Sequence, residues 1–282
     1  KKRGGDVMKK KIAGIPVIVL TVAVMILFCI PTYFAVLTSI KSTSEVSKSI
    51  LSLPGAICWE NYQEAIRKSD FLNALKNTCL VTFPSVVLIT ICASMGGYVI
   101  ARNSEKRRFR LLDKVYMSSL MIPFQILMIP VYRMYNTLHL LNTLQGMVLM
   151  LTGVSIAYAT FLYVGFIKGV PKELEEAALL DGCGVYQVFF KVVLPLLKPI
   201  TATCAALHVM WLWNDFNIAL ILLQKDKVRT LTIKQYYFFG EHISNYGAAF
   251  AAALLSMMPV LLFFILAQKY LVDGISAGAV KG

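Results

Sequence analysis

Charge is scarce in this chain. Only 15% of its 282 residues are Asp, Glu, Lys or Arg, whereas a water-soluble domain carries about 25%. That shortage, with 57% apolar residues and a mean hydropathy of +0.67, excludes an ordinary soluble fold. Histidine is scarcer still: His139, His208 and His242 are scattered, with no two at metal-ligand spacing, so no metal site is expected. Six cysteines provide no disulfide framework, because Cys29, Cys79, Cys92 and Cys204 fall in apolar runs, Cys183 in a polar segment, and Cys58 by itself elsewhere. Small packing residues are the role such thiols suggest. A Gly-x-x-x-x-Gly-Lys-Ser/Thr phosphate loop is missing, so this chain is not expected to bind ATP by that route. Gly274-Ile275-Ser276-Ala277-Gly278 matches a nucleophile-elbow pattern, but too little chain follows for its acid and His partners, which makes the match accidental. No internal repeat and no low-complexity stretch is present.

What is there is apolar sequence in long continuous runs. Crossing the roughly 30 Å hydrocarbon layer takes about 20 helical residues. About six windows qualify, near Ile12 to Ile40, Thr78 to Ala101, Leu111 to Tyr135, Leu144 to Ile167, Ile200 to Leu223 and Gly247 to Leu271. Barrel strands would alternate over about 10 residues, and these runs do not alternate. The expected fold is therefore an all-α membrane protein with about six transmembrane helices. The first window follows Lys9-Lys10-Lys11 as a signal peptide would, yet its apolar run is too long and lacks a small-residue cleavage site, so it reads as a retained helix. Met8 reads as a natural start. Pro123 and Pro130 remove backbone donors inside the third window and predict a kink, whether as a cavity lining or as plain tolerance of proline in a membrane helix.

Basic residues give the orientation. With a cytoplasmic N-terminus, about 18 of the 28 Lys and Arg fall on the inner side, among them Lys9 to Lys11, Arg102 to Lys114 and Lys168 to Lys198. Both termini are thus expected inside, and the net charge of +13 reads as a topology signal with contact to anionic lipid rather than to nucleic acid. The expected organisation is a cytoplasmic segment 1–11, a transmembrane domain 12–271 and a cytoplasmic tail 272–282. Between the first two spans, Lys41 to Asn77 is mixed in charge. Its Tyr62, Ala65, Ile66, Leu72 and Leu75 predict a short amphipathic helix over Asn61 to Leu75.

The loop at 170–195 is the most patterned polar segment. Pro171 suits a first helical turn, and Glu173, Glu175 and Glu176 follow where the positive helix end favours acids. Leu174, Ala177 and Ala178 share a face, and Gly182-Cys183-Gly184 lets the chain turn. A second short helix is expected to carry Val185, Val188, Phe189 and Val192 on one side, ending at Leu194-Pro195. Two such helices joined at glycine make a knob suited to a cleft on a partner; by periodicity alone, an ordinary interfacial loop fits equally well.

The order Glu176-Ala177-Ala178, Asp181-Gly182, Leu194-Pro195 resembles the coupling loop of permease subunits of ATP-binding-cassette importers. The resemblance covers nearly the whole chain: Ile30-Pro31, Ser39 to Glu45, Glu60-Asn61-Tyr62, Lys76-Asn77, Ala101-Arg102, Met121-Ile122-Pro123, Trp213-Asn214-Asp215-Phe216 and the tail from Gly274 to Gly282 are similar to landmarks of carbohydrate-importer permeases, the maltose type above all. It implies a permease subunit of a binding-protein-dependent sugar importer, in a bacterial inner membrane, working by alternating access. Its implied partners are a second permease subunit, two ATPase subunits that hold ATP and magnesium, and an external sugar-binding protein; the chain itself would hold no cofactor and catalyse nothing. Glu176, Ala177, Ala178, Asp181, Gly182, Leu194 and Pro195 would dock the ATPase. Gly274, Ser276, Gly278 and Lys281 of the tail would reach the interface between the ATPase subunits.

Asp215, with Trp213 and Asn214, is the most suggestive polar group inside a span, since an ionisable residue at membrane depth usually faces a cavity or a partner. It could line the solute path or brace neighbouring helices. Tyr33, Tyr98 and Tyr158 fit a sugar-facing role or a core role equally. A secondary transporter or channel is the alternative; it would call for more charge within the spans and leaves the knob at 170–195 without a purpose.

Overall fold

The computed structural model describes residues 2–241 and 245–279, with side chains from 16 to 240 and from 245 to 269. Every regular element among them is helical. In chain order these are α1 Lys2–Ser39, α2 Thr43–Lys48, α3 Glu60–Lys68, α4 Phe71–Arg102, α5 Arg107–Ser119, α6 Phe124–Thr137, α7 Leu144–Ile167, α8 Glu173–Leu180, α9 Val185–Leu196, α10 Lys198–Trp213, α11 Asn217–Leu222, α12 Leu231–Glu241 and α13 Tyr246–Ala279. Four stretches are long and apolar enough to cross a membrane singly: Pro16–Ser39, Phe71–Arg102, Leu144–Ile167 and Tyr246–Lys269. Two bent pairs, α5 with α6 and α9 with α10, bring the number of candidate spans to six.

The breaks follow from the sequence. Pro123 opens α6 after a bend of 100° from α5, and Pro130 sits inside α6. This is the expected kink, sharpened into a break. α3 is shorter than the surface helix expected over Asn61 to Leu75, because Asp70 adopts a left-handed φ of 47° and ends it. Leu72 and Leu75 therefore belong to α4, which starts earlier than the Thr78 expected from hydropathy.

The chain divides into two compact units. One comprises Lys1–Ser69 and Tyr237–Leu255. In it Ala65 of α3 packs with Phe238 and with Ala248, Ala249, Ala251 and Ala252 of α13. Small residues let the backbones come close, and a Cβ at Gly247 would collide with the Asn61 amide. Asn61 in turn donates to the Ser39 and Lys41 carbonyls, fastening α3 to the end of α1. Lys41 is fully buried, its ammonium satisfied by the Ser49 and Ile50 carbonyls.

The other unit, Asp70–Tyr236 with Ser256–Gly282, is built on the pairing of α4 with α7. Ser85, Ile89, Ala93, Gly97 and Ala101 recur every fourth residue along α4 and are all buried. That spacing puts them on one helix face. A Cβ at Gly97 would sit 2.7 Å from Tyr163 Cβ, so glycine sets how closely the two helices approach. Tyr163 is itself fully buried and donates to Thr201 of α10 at 3.0 Å, tying the third helix in.

Candidate functional site

The 170–195 segment forms a two-armed knob at the Arg102 end of α4. The first arm, α8, carries three glutamates in its first turn, two of which, Glu173 and Glu176, point to solvent. Ala177 is exposed, Ala178 half-buried, and Asp181 and Gly182 are exposed at the tip. Gly182 takes φ +83°, a conformation a side chain disfavours, and this turns the chain back into α9. Large apolar side chains are left in the open here: Leu180 is 89% exposed and Tyr186 77%, with Leu174, Leu179 and Val185 also uncovered. So exposed an apolar tip, beside solvent-facing acids, is what a partner cleft would cover.

The second arm departs from the sequence reading. Val188–Val193 is π-helical, so Leu194 N–H reaches back to the Phe189 carbonyl. The buried residues of this stretch are Val188, Phe189 and Val193, while Val185, ahead of the π-helical turn at the exposed tip, is uncovered rather than sharing the face with Val188. Leu194 is half-buried and Pro195 exposed; Pro195 lies within the last turn of α9, before the 73° bend at Leu197 that leads into α10.

A cluster that periodicity did not single out joins the knob to the bundle. The third glutamate, Glu175, is buried, and both its oxygens are taken by α4. Arg102 Nε donates to Oε1 at 2.7 Å, and the Tyr98 hydroxyl donates to Oε2 at 2.7 Å. Arg102 also donates through Nη1 to the Ile167 carbonyl and through Nη2 to the Val170 carbonyl, both at 3.0 Å. One guanidinium thus fastens the end of α7, the lead-in to α8, and α8 itself. The Tyr98 ring packs on Phe189 of α9, with centroids 5.2 Å apart.

At the far end of α10, Trp213 is buried among Ala74, Leu231, Phe71 and Leu75. Asn214 is exposed and donates to the Met210 carbonyl. Asp215 lies in the break between α10 and α11, half-buried; one oxygen accepts from the Ala219 amide at 3.0 Å, and its carbonyl accepts from the Thr232 hydroxyl. Gly274, Ser276 and Gly278 lie in the last turns of α13, and Lys281 falls outside the described residues.

Residues 93–277 match the family described as binding-protein-dependent transport system inner membrane component. The chain belongs to that family. Among its relatives is a melibiose/raffinose/stachyose import permease protein of Bacillus subtilis, 37% identical over 94% of this chain and 96% of the relative. A probable starch degradation products transport system permease protein of Thermoanaerobacterium thermosulfurigenes is 35% identical over 93% and 95%. A solved bacterial ABC transporter that imports the acidic polysaccharide alginate shares the fold, with a TM-score of 0.79 over 92% of this chain and 96% of its own at 24% identity. Family membership makes this a multi-pass inner-membrane protein of a transport system.

Proposed function

We infer that this chain is the permease subunit of an ATP-driven, binding-protein-dependent importer of sugars, forming half of the translocation path. The observation that carries the reading is the exposed apolar tip of the 170–195 knob, fixed to a bundle of spanning helices, in a chain whose relatives are sugar permeases. Glu176, Ala177, Ala178, Asp181 and Gly182, with Leu194 and Pro195, dock one of two ATPase subunits, which hold ATP and magnesium. A second permease completes the path, and a sugar-binding protein delivers solute from the opposite face. Both termini lie on the ATPase side, and the tail from Gly274 to Lys281 reaches between the ATPases. Asn214 and Asp215, at the break between α10 and α11, stand where a helix interruption lines the path, with Trp213 packed behind them.

Alternating access needs ATP and loaded binding protein to favour the same conformer, because a ligand without preference between states shifts nothing. The knob is the mechanical link that requirement calls for. Purification of the chain from its native membrane in mild detergent, with co-purifying subunits identified by mass, tests the reading. Recovery of an ATPase, a second permease and a sugar-binding protein is expected. Recovery of the chain alone, where known importers stay assembled, would point to a secondary transporter or channel.

A further inference from the structure

The two arms of the knob are continuous in sequence with α7 and α10, so a force on the knob would be expected to pass along those two helices. The side-chain contacts run elsewhere. Both arms are fastened to the last turn of α4, a helix far away in sequence: α8 through Glu175 to Arg102 and Tyr98, and α9 through Phe189 to Tyr98. Tyr98 and Arg102 are one turn apart and therefore share a face of α4. The same face carries the contact with the end of α7 through Ile167.

We propose that Tyr98, Arg102 and Glu175 act as a clamp that makes α4 the helix driven by the knob, so that they are positioning residues for coupling rather than for docking. Three features support this. The charged pair is shielded, with both side chains about 11% exposed, where an ion pair is stronger and less screened than at a surface. The carboxylate is held at both oxygens from one helix, which fixes direction as well as distance. Beyond the clamp, α4 is packed on α7 along the face of Ala93, Gly97 and Ala101, where a Cβ at Gly97 would meet Tyr163, so a displacement of Arg102 is passed into that packed face. Glu173 and Glu176, the neighbouring acids, face solvent and are free for the partner. The helix thus separates inward anchoring from outward docking within one turn.

The proposal rests on the docking reading, and the test separates the two. The complete transporter is reconstituted in vesicles with Glu175→Gln or Tyr98→Phe, and solute taken up, ATP hydrolysed and ATPase subunits retained are measured together. Glu175→Gln keeps shape and removes charge; Tyr98→Phe keeps the ring on Phe189 and leaves the Arg102 pair intact, so it guards against a folding defect. The expected result is full retention of the ATPase subunits with continued hydrolysis, and a fall of about tenfold in solute moved per ATP for Glu175→Gln, within the usual range of coupling between sites. A smaller fall in the same ratio is expected for Tyr98→Phe. An unchanged ratio in both variants overturns the clamp. Loss of the ATPase from the variants alone also overturns it, since the trio would then only shape the docking surface. Absence of an ATPase from the unmodified chain overturns the docking reading itself.

Discussion

The two ends of α4 hold loops by different chemistry. At its start, Asn77 donates to the Lys227 and Arg229 carbonyls, Asn73 donates to the Lys227 carbonyl, and the Thr78 hydroxyl accepts from the Leu231 amide. At its end, Arg102 and Tyr98 grip the Glu175 carboxylate. The first attachment reads the backbone of the loop at 227–229, so the Lys227 side chain, which is exposed, can change without loosening it. The second demands a carboxylate at one position. One end of α4 is thus tolerant of the side chain at Lys227, and the other is exacting at Glu175.

The largest effect expected from breaking this comparison is at the tip of the exacting loop. Gly182 has open space around it, so a side chain there would clash with nothing; the obstacle is φ +83°. A left-handed conformation costs an ordinary residue about 1–2 kcal/mol, whereas Asn tolerates it. Gly182→Leu is expected to lower ATP-driven uptake by about tenfold at wild-type abundance, and Gly182→Asn to restore most of it. Equal damage by both would mean that bulk against the partner, not backbone shape, is the constraint.

The tolerant end makes the next prediction. Asn77→Ala removes two part-buried hydrogen bonds to the loop, leaving Asn73 on the Lys227 carbonyl, and is expected to destabilise the protein by about 1–3 kcal/mol, read as a lower thermal midpoint in detergent. Lys227→Ala, which removes the side chain but keeps the accepting carbonyl, is expected to change stability by no more than about 0.5 kcal/mol. A loss at Lys227 matching that at Asn77 would show that the loop is held by side chains after all.

The all-α class and the six apolar runs were legible in the sequence, because hydrocarbon-spanning helices announce themselves by length and continuity. So were the helix start at the three acids and the turn at Gly182, whereas the Leu-Pro pair lies inside α9, just before its bend into α10. Helix starts were less legible. Hydropathy could not place the opening of α4 at Phe71, since Asp70 ends α3 through backbone conformation, which no apolar pattern reports. The π-helical register of α9 was hidden for a similar reason: apolar spacing does not report which carbonyl each amide reaches, nor that Val185 sits on the exposed tip. Arg102 was read as one of many basic topology markers and Glu175 as one of three acids at a helix start. Their pairing across 73 residues is tertiary information. Charge rarity in an apolar chain was the available clue, because a buried Arg near a membrane helix end needs a partner.

The smallest effect concerns the loop at the tolerant end. Asp226 accepts from Lys234 Nζ at 2.8 Å and from Arg229 Nη1 at 3.0 Å, and the hydrogen bond from Lys234, with the charges of both cations, holds its carboxyl below the usual value. A carboxylate depressed in the folded state contributes stability that is fully present above its unfolded value, about 3.9, and is lost as pH falls through the lower folded value. Asp226 is largely exposed, so the contribution is that of a surface pair, at most about 1 kcal/mol. The thermal midpoint of the wild type is therefore expected to match its neutral value down to about pH 5 and to sag below about pH 4. Asp226→Asn should give a midpoint slightly lower at neutral pH and a shallower fall in acid. Because Asn77 secures the same loop by uncharged bonds, the two effects should add only in part: with Asn77→Ala in place, the loop leans more heavily on Asp226 beside the remaining bonds to Asn73 and Thr78, and the acid-induced fall should steepen. An acid response identical with and without Asn77 would mean that the ion pair and the amide hold separate parts of the loop.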